Sequence, residues 1–192
     1  MKKFLPIVML LFLSAFTSAQ TPFQVKEVAV LPTSHLSITG DTNINKFECN
    51  FDTSYLKKAQ KVYYSRKDSI MNFTGAILTL DTRGFDCGNK GINQDFNDLI
   101  KADQYPEILL ELNNVTLHSK TFGIATICIT MAGKEKFYKV PVNIKNGQVA
   151  HFQGELELNI KDFGLEPPKK LFGIIKVKDE IEISFDLNIK KQ

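Results

Sequence analysis

Histidine, cysteine and carboxylate side chains carry most acid–base, nucleophilic and metal chemistry, so their spacing is the first question. The three histidines, His35, His118 and His151, lie on distant segments. None has a second histidine or a cysteine three or four residues away, the spacing that presents two metal ligands together. Ser34 and His35 are neighbours, and neighbours on a strand point to opposite faces, which makes a poor nucleophile–base pair. Asp81, Asp86, Asp95 and Asp98 form an acidic cluster of the kind a glycosidase-type acid–base pair would draw on. They fall in a turn and a helix start, where aspartate serves the backbone. No His-Glu-x-x-His, Gly-x-Ser-x-Gly, P-loop or dinucleotide glycine motif occurs. The expectation is a protein that is not an enzyme, with no catalytic residue, no metal and no resident cofactor.

Three cysteines remain, Cys49, Cys87 and Cys128. An odd count leaves one thiol over, and arithmetic does not separate the three possible pairs. Cys49 and Cys87 sit in turn-like surroundings, whereas Cys128 lies inside the strand-like run Ile127-Cys128-Ile129. A Cys49–Cys87 disulfide with Cys128 as a buried free thiol is therefore favoured. Without a Cys-x-x-Cys pair, a zinc site is not.

A disulfide presupposes an oxidising compartment. Met1-Lys2-Lys3 is a positive head, Phe4 to Phe16 is an apolar run, and Thr17-Ser18-Ala19 supplies small residues before Gln20. Residues 1–19 thus read as a cleaved secretory signal peptide, and the run is too short to cross a bilayer as a helix. Residues 20–192 read as one domain, soluble, without an integral membrane span, and exported. The chain has 192 residues, 43% of them apolar and 23% charged, with a net charge of +3 that falls to about +1 once Lys2 and Lys3 are removed. That balance gives no strong electrostatic reason to bind nucleic acid or anionic membrane.

The elements that would position any site are strands. Phe152, Leu156, Leu158 and Ile160 alternate with Gln153, Glu155, Glu157 and Asn159. Ile181, Ile183, Phe185, Leu187 and Ile189 alternate with Glu182, Ser184, Asp186, Asn188 and Lys190. Each such strand has one wet and one dry face. Further strands are expected over 36–39, 61–64, 69–73, 77–81, 108–112, 123–131, 137–144 and 173–178. The exception is 93–103, where Phe96, Leu99 and Ile100 have helical spacing, Asn93 is placed to cap the start, and Tyr105-Pro106 ends the segment. The fold class is all-β with one short helix. About eight strands fit a closed barrel able to hold one small ligand, although periodicity alone does not separate barrel from sandwich. The chain has 15 Phe and no Trp, and its apolar residues lie in long inward rows that either pack solid or enclose a cavity suited to a chain-like lipid.

Several stretches in order carry a resemblance. They are Ser37-Ile-Thr-Gly40-Asp-Thr42-Asn43-Ile-Asn45-Lys-Phe47-Glu-Cys49, Phe85-Asp-Cys87-Gly88-Asn89, Leu99-Ile-Lys101-Ala-Asp-Gln-Tyr105-Pro106, and Asp162-Phe163-Gly164-Leu-Glu-Pro167-Pro168. Together they are similar to the YceI-like family of exported proteins. The resemblance implies an eight-stranded antiparallel lipocalin-like β-barrel, an elongated apolar channel for a polyisoprenoid or isoprenoid-quinone chain, and a periplasmic location. It also implies that Cys49 and Cys87 pair, as in some members. It carries no catalytic residue. The expected partner is therefore an amphiphilic isoprenoid lipid, and a homodimer is compatible with that reading. By alternation, Phe73, Leu110, Leu112, Phe152, Leu156, Leu158, Ile183, Phe185 and Leu187 are expected to line the channel, with Tyr105 at its mouth. Two alternatives remain open: a filled core acting through a protein partner, and a small-substrate enzyme using the Asp81–Asp98 region.

Overall fold

The computed structural model describes residues 23–56, 59–167 and 177–191. The segment read as a signal peptide, Lys57-Lys58, and the expected strand start at 173–176 lie outside the described residues. Twelve strands form one antiparallel sheet. They are β1 (Gln24–Val30), β2 (His35–Thr42), β3 (Lys46–Phe51), β4 (Gln60–Lys67), β5 (Ile70–Thr74), β6 (Ile77–Asp81), β7 (Phe85–Asp86), β8 (Glu107–Leu117), β9 (Phe122–Met131), β10 (Lys134–Lys145), β11 (Val149–Asn159) and β12 (Val177–Lys191). One helix, α1, spans Lys90–Leu99.

Eight of these strands close a ring, in the order β1-β4-β5-β8-β9-β10-β11-β12, with β12 pairing back to β1. The ring is the expected lipocalin-like arrangement. Two of the other four strands, β2 and β6, arise because two long strands change partner partway along one edge. β12 pairs with β2 through Asp186↔His35 and with β1 through Val30↔Ile189. β8 pairs with β6 through Glu111↔Ile77 and with β5 from Asn114↔Asn72 onward, across a bulge at Asn113. β3 and β7 extend the sheet beyond β2.

The partner change in β12 is held by local hydrogen bonds. The Asn188 amide donates to the Ser34 hydroxyl at 2.9 Å, the Leu31 amide donates to the Asn188 carbonyl at 2.8 Å, and the Asn188 side-chain amide donates to the Thr33 carbonyl at 2.8 Å. These bonds satisfy groups that leave one ladder before joining the next. Even so, the side-chain oxygens of Asn188 and Asn113 are both buried without a hydrogen-bond partner among the described residues. Each marks one of the two places where the sheet changes partner.

The helix begins earlier than its periodicity suggests. Asn89, not Asn93, is the cap, accepting from the Ile92 amide at 2.9 Å. Asn93 lies one turn inside and does a different job: its side-chain oxygen accepts from the Cys87 amide and its nitrogen donates to Asp86. The apolar stripe Ile92, Phe96, Leu99 and Ile100 packs onto the core, with the Phe96 ring 5.1 Å from Phe85 and Phe85 4.9 Å from Phe51. The Cys49–Cys87 disulfide ties β3 to the helix start, and Cys128 is a buried free thiol. Both agree with expectation.

Candidate functional site

Cross-strand register decides which side chains share a face. Leu156 faces Ile183, Leu158 faces Ile181, and Phe152 faces Leu187 across β11–β12. Leu36 faces Phe185 and Ile38 faces Ile183 across β2–β12. Leu110 faces Ile129 and Leu112 faces Ile127 across β8–β9. Apart from Leu187, these side chains belong to one hydrophobic cluster. The expected residues Leu110, Leu158 and Ile183 meet around a single apolar void, together with Leu36, Ile38, Leu80, Ile108, Ile129, Met131 and Ile181. No charged or hydrogen-bonding side chain lines it.

Leu112, Phe152, Leu156 and Phe185 lie in the same cluster without lining the void. Gly154 makes room for Phe185: a Cβ at Gly154 would fall 2.6 Å from the Phe185 ring and 2.7 Å from the Pro141 carbonyl oxygen. Leu187 and Phe73 lie toward the other end of the ring, half-buried, with Phe73 in register with Tyr64. Tyr105 packs on the β9–β10 turn at the helix end, its ring 2.8 Å from where a Cβ of Gly133 would sit, and Gly133 holds a positive φ of 74°.

The lining residues outside the expected set are Leu36, Ile38, Leu80, Ile108, Ile129, Met131 and Ile181. All lie on expected strands, over 36–39, 77–81, 108–112, 123–131 and 181–189; which of their side chains meet at the void is set by the register of the partner strands. The void itself is small. Its volume is about 20 Å³, room for roughly one water. A second void of about 20 Å³ lies under β1 and β6, against Val28, Val30 and Leu78. In this structure the interior rows therefore meet across a largely filled centre, rather than bounding an open elongated channel.

The acidic cluster is occupied with structural work. The Asp81 carboxylate accepts from the Arg83 amide and pairs with the Arg83 guanidinium, which holds its pKa below the usual range. Asp86 accepts from Asn93 and from the Gly88 amide at 3.0 Å, which lowers its pKa too. Asp98 accepts from Gln94. Among the described residues no group of three or more His, Cys, Asp or Glu side chains is placed to hold a metal ion. Tyr138 donates to Asp162 at 3.2 Å; burial, followed by the Asp162 charge, pushes its pKa up to about 12. Cys128 lies on the ring's outer face, in register with Glu111 and Phe137. Burial, then Glu135 and Glu111, raise its pKa, which keeps the thiol protonated and unreactive.

Residues 16–189 match the sequence profile of the family described as the YceI-like domain. No curated protein matches the chain. The fold is similar to that of BcnA from Burkholderia cenocepacia, with a TM-score of 0.63 and 22% identity over 81% of this chain and 95% of that one. It is also similar to a polyisoprenoid-binding domain from Saccharophagus degradans implicated in plant cell wall breakdown, with a TM-score of 0.63 and 11% identity over 88% of this chain and all of that one. At these identities the likeness extends to the fold.

Proposed function

The chain belongs to the YceI-like family, and from that premise we propose that it binds a polyisoprenoid or isoprenoid-quinone chain inside its strand ring, outside the cytoplasm. One observation carries the reading: the inward rows of β2, β6, β8, β9, β11 and β12 converge on a void lined only by apolar side chains. A hydrocarbon chain needs that lining and no polar chemistry. The neighbour from Saccharophagus supports the ligand class. The sequence of residues 1–19 and the Cys49–Cys87 bridge support export.

A ligand of this kind needs more room than about 20 Å³; small-molecule pockets run to roughly 300 Å³ and above. No residue of β1, β4 or β5 lines this void, but the second void lies against Val28, Val30 and Gln60, and on that side the ring supplies a means of widening. The wall β1-β4-β5 hangs on two short ladders, Val28–Val30 against Ile189–Lys191 and Ile70–Asn72 against Asn114–Thr116. By contrast, β9 and β10 pair from Lys134↔Met131 to Asn143↔Phe122. Both short ladders begin next to the under-satisfied asparagines Asn188 and Asn113. The wall is the part of the ring that costs least to displace. Each five-carbon isoprene unit buried is worth about 4 kcal/mol before ordering costs, so a few units offset the opening of such a ladder.

The test is binding by delipidated protein. Incubated with a polyprenyl alcohol or a long-chain quinone and passed through gel filtration, folded protein should elute with the lipid at saturable 1:1 stoichiometry. Folded protein that elutes empty at every lipid concentration contradicts the proposal.

A further inference from the structure

The small net charge conceals a strongly asymmetric distribution. Strand direction alternates around the ring, so the β4–β5 turn, the β8–β9 loop, the β10–β11 turn and the end of β12 all emerge at one end. Main-chain contacts tie these turns together: the Leu117 amide donates to the Ser69 carbonyl at 2.8 Å, and the Ile144 amide to the Thr121 carbonyl at 2.8 Å. This end carries Arg66, Lys67, Lys120, Lys145, Lys190 and Lys191, all exposed. Within 66–70, 118–121, 145–149 and 190–191, Asp68 is the one acidic residue. The ion pairs among the described residues, Arg83–Asp81, Lys161–Asp179 and Lys178–Asp41, all belong to the opposite end. The helix with Asp95 and Asp98 lies at that end too.

Apolar side chains are exposed within the basic rim. Ile70, which begins β5, is 43% exposed, and Phe122, which begins β9, is 37% exposed with its ring 5.9 Å from His118. Lysines surrounding exposed aromatic and aliphatic side chains at one end of a molecule form the combination that adsorbs to an anionic bilayer: the cations meet the headgroups and the apolar tips enter the interface. We propose that this rim docks on the surface of an anionic phospholipid bilayer. The partner follows from charge complementarity, and the proposal stands on charge and exposure alone. It does not depend on whether the ring holds a lipid.

The test is flotation of the purified protein with vesicles free of isoprenoid lipid, made of phosphatidylcholine alone or mixed with phosphatidylglycerol. Protein should float with the mixed vesicles only, and the bound fraction should fall as salt rises. Replacing Lys120→Gln, Lys145→Gln and Lys190→Gln together should weaken partitioning by about a hundredfold, at roughly fivefold per lysine. The opposite-end triple Lys46→Gln, Lys90→Gln and Lys136→Gln lowers net charge equally and should leave partitioning within about twofold. Phe122→Ser should weaken binding further at high salt, where the apolar contribution dominates. Folded protein that ignores phosphatidylglycerol, or two triples that lose binding equally, would overturn the proposal. Gel-filtration capture of a polyprenyl alcohol by the rim triple provides the separate reading: it should be unchanged, and it reports on the ring interior whichever way the flotation falls.

Discussion

Leu110, Leu158 and Ile183 are the side chains on which the ligand reading turns, because they close the void from three strands. Truncating one of them has two opposed effects. Leu110→Ala removes buried carbons and should cost roughly 2–5 kcal/mol of stability in the lipid-free protein. The same change enlarges an apolar space, so a bound polyprenyl chain should recover more of that stability than in the parent. Thermal melts with and without lipid check this; equal lipid-induced shifts in both proteins would place the ligand elsewhere. Tyr138 offers a pH-dependent readout. Its pKa is raised, to about 12, so the protonated phenol is the form the fold favours. Its contribution to stability is present below pH 10 and is lost between about 10 and 12 as the phenol ionises. Ultraviolet titration should show Tyr138 ionising late, and Asp162→Asn should bring it part of the way down because the neighbouring charge is gone while the burial stays. Several of these residues were legible in the alternation of 152–160 and 181–189. Leu36, Ile38 and Leu80 were not, since membership of the lining depends on which strand lies opposite.

Elements show the same division. Long alternating strands such as β11 and β12 declare themselves, because a two-residue period held over nine positions matches a half-buried strand and no helix. β1, β3 and β7 do not: β1 has Gln24, Lys26 and Glu27 among its seven residues, and β7 is two residues long. The helix was legible as a helix but its start was not, since Asn89 and Asn93 are both suitable caps and only the fold commits Asn93 to Cys87 and Asp86. The disulfide closes a loop of 38 residues, for which chain entropy gives about 4 kcal/mol. Replacing Cys49 and Cys87 by Ala should lower unfolding free energy by roughly 2–4 kcal/mol in denaturant titrations, while alkylating reagents leave buried Cys128 untouched in the native state. The short ladders bounding the β1-β4-β5 wall carry the next prediction. Ala29 and Lys190 are register partners across one of them. With Ala29→Cys and Lys190→Cys oxidised, lipid uptake should slow at least tenfold and recover on mild reduction that spares the buried Cys49–Cys87 bond. Unchanged uptake with the crosslink in place would mean that the ring widens elsewhere.

At the scale of the molecule, a ring closed by β1 and β12 pairs the edges that its eight strands would otherwise expose, and long rows of apolar side chains fill its centre. Composition announced the strands and the apolar rows. It could not announce closure, which rests on three paired residues at the end of a long strand, nor the separation of basic and acidic ends, which depends on strand direction and is invisible to a net charge of +3. Among the described residues no helix is long and apolar enough to cross a membrane. The proposed rim would meet the bilayer at its surface, with the ring interior behind it. The central claim is that this interior takes up an isoprenoid chain. Its most direct test is native mass spectrometry of the full chain expressed with its N-terminal segment, recovered from the exported fraction without detergent, followed by organic extraction of the bound material. The account predicts a stoichiometric adduct identified as a polyprenyl or isoprenoid-quinone lipid. A folded protein of bare polypeptide mass, still bare after incubation with such lipids, would contradict it.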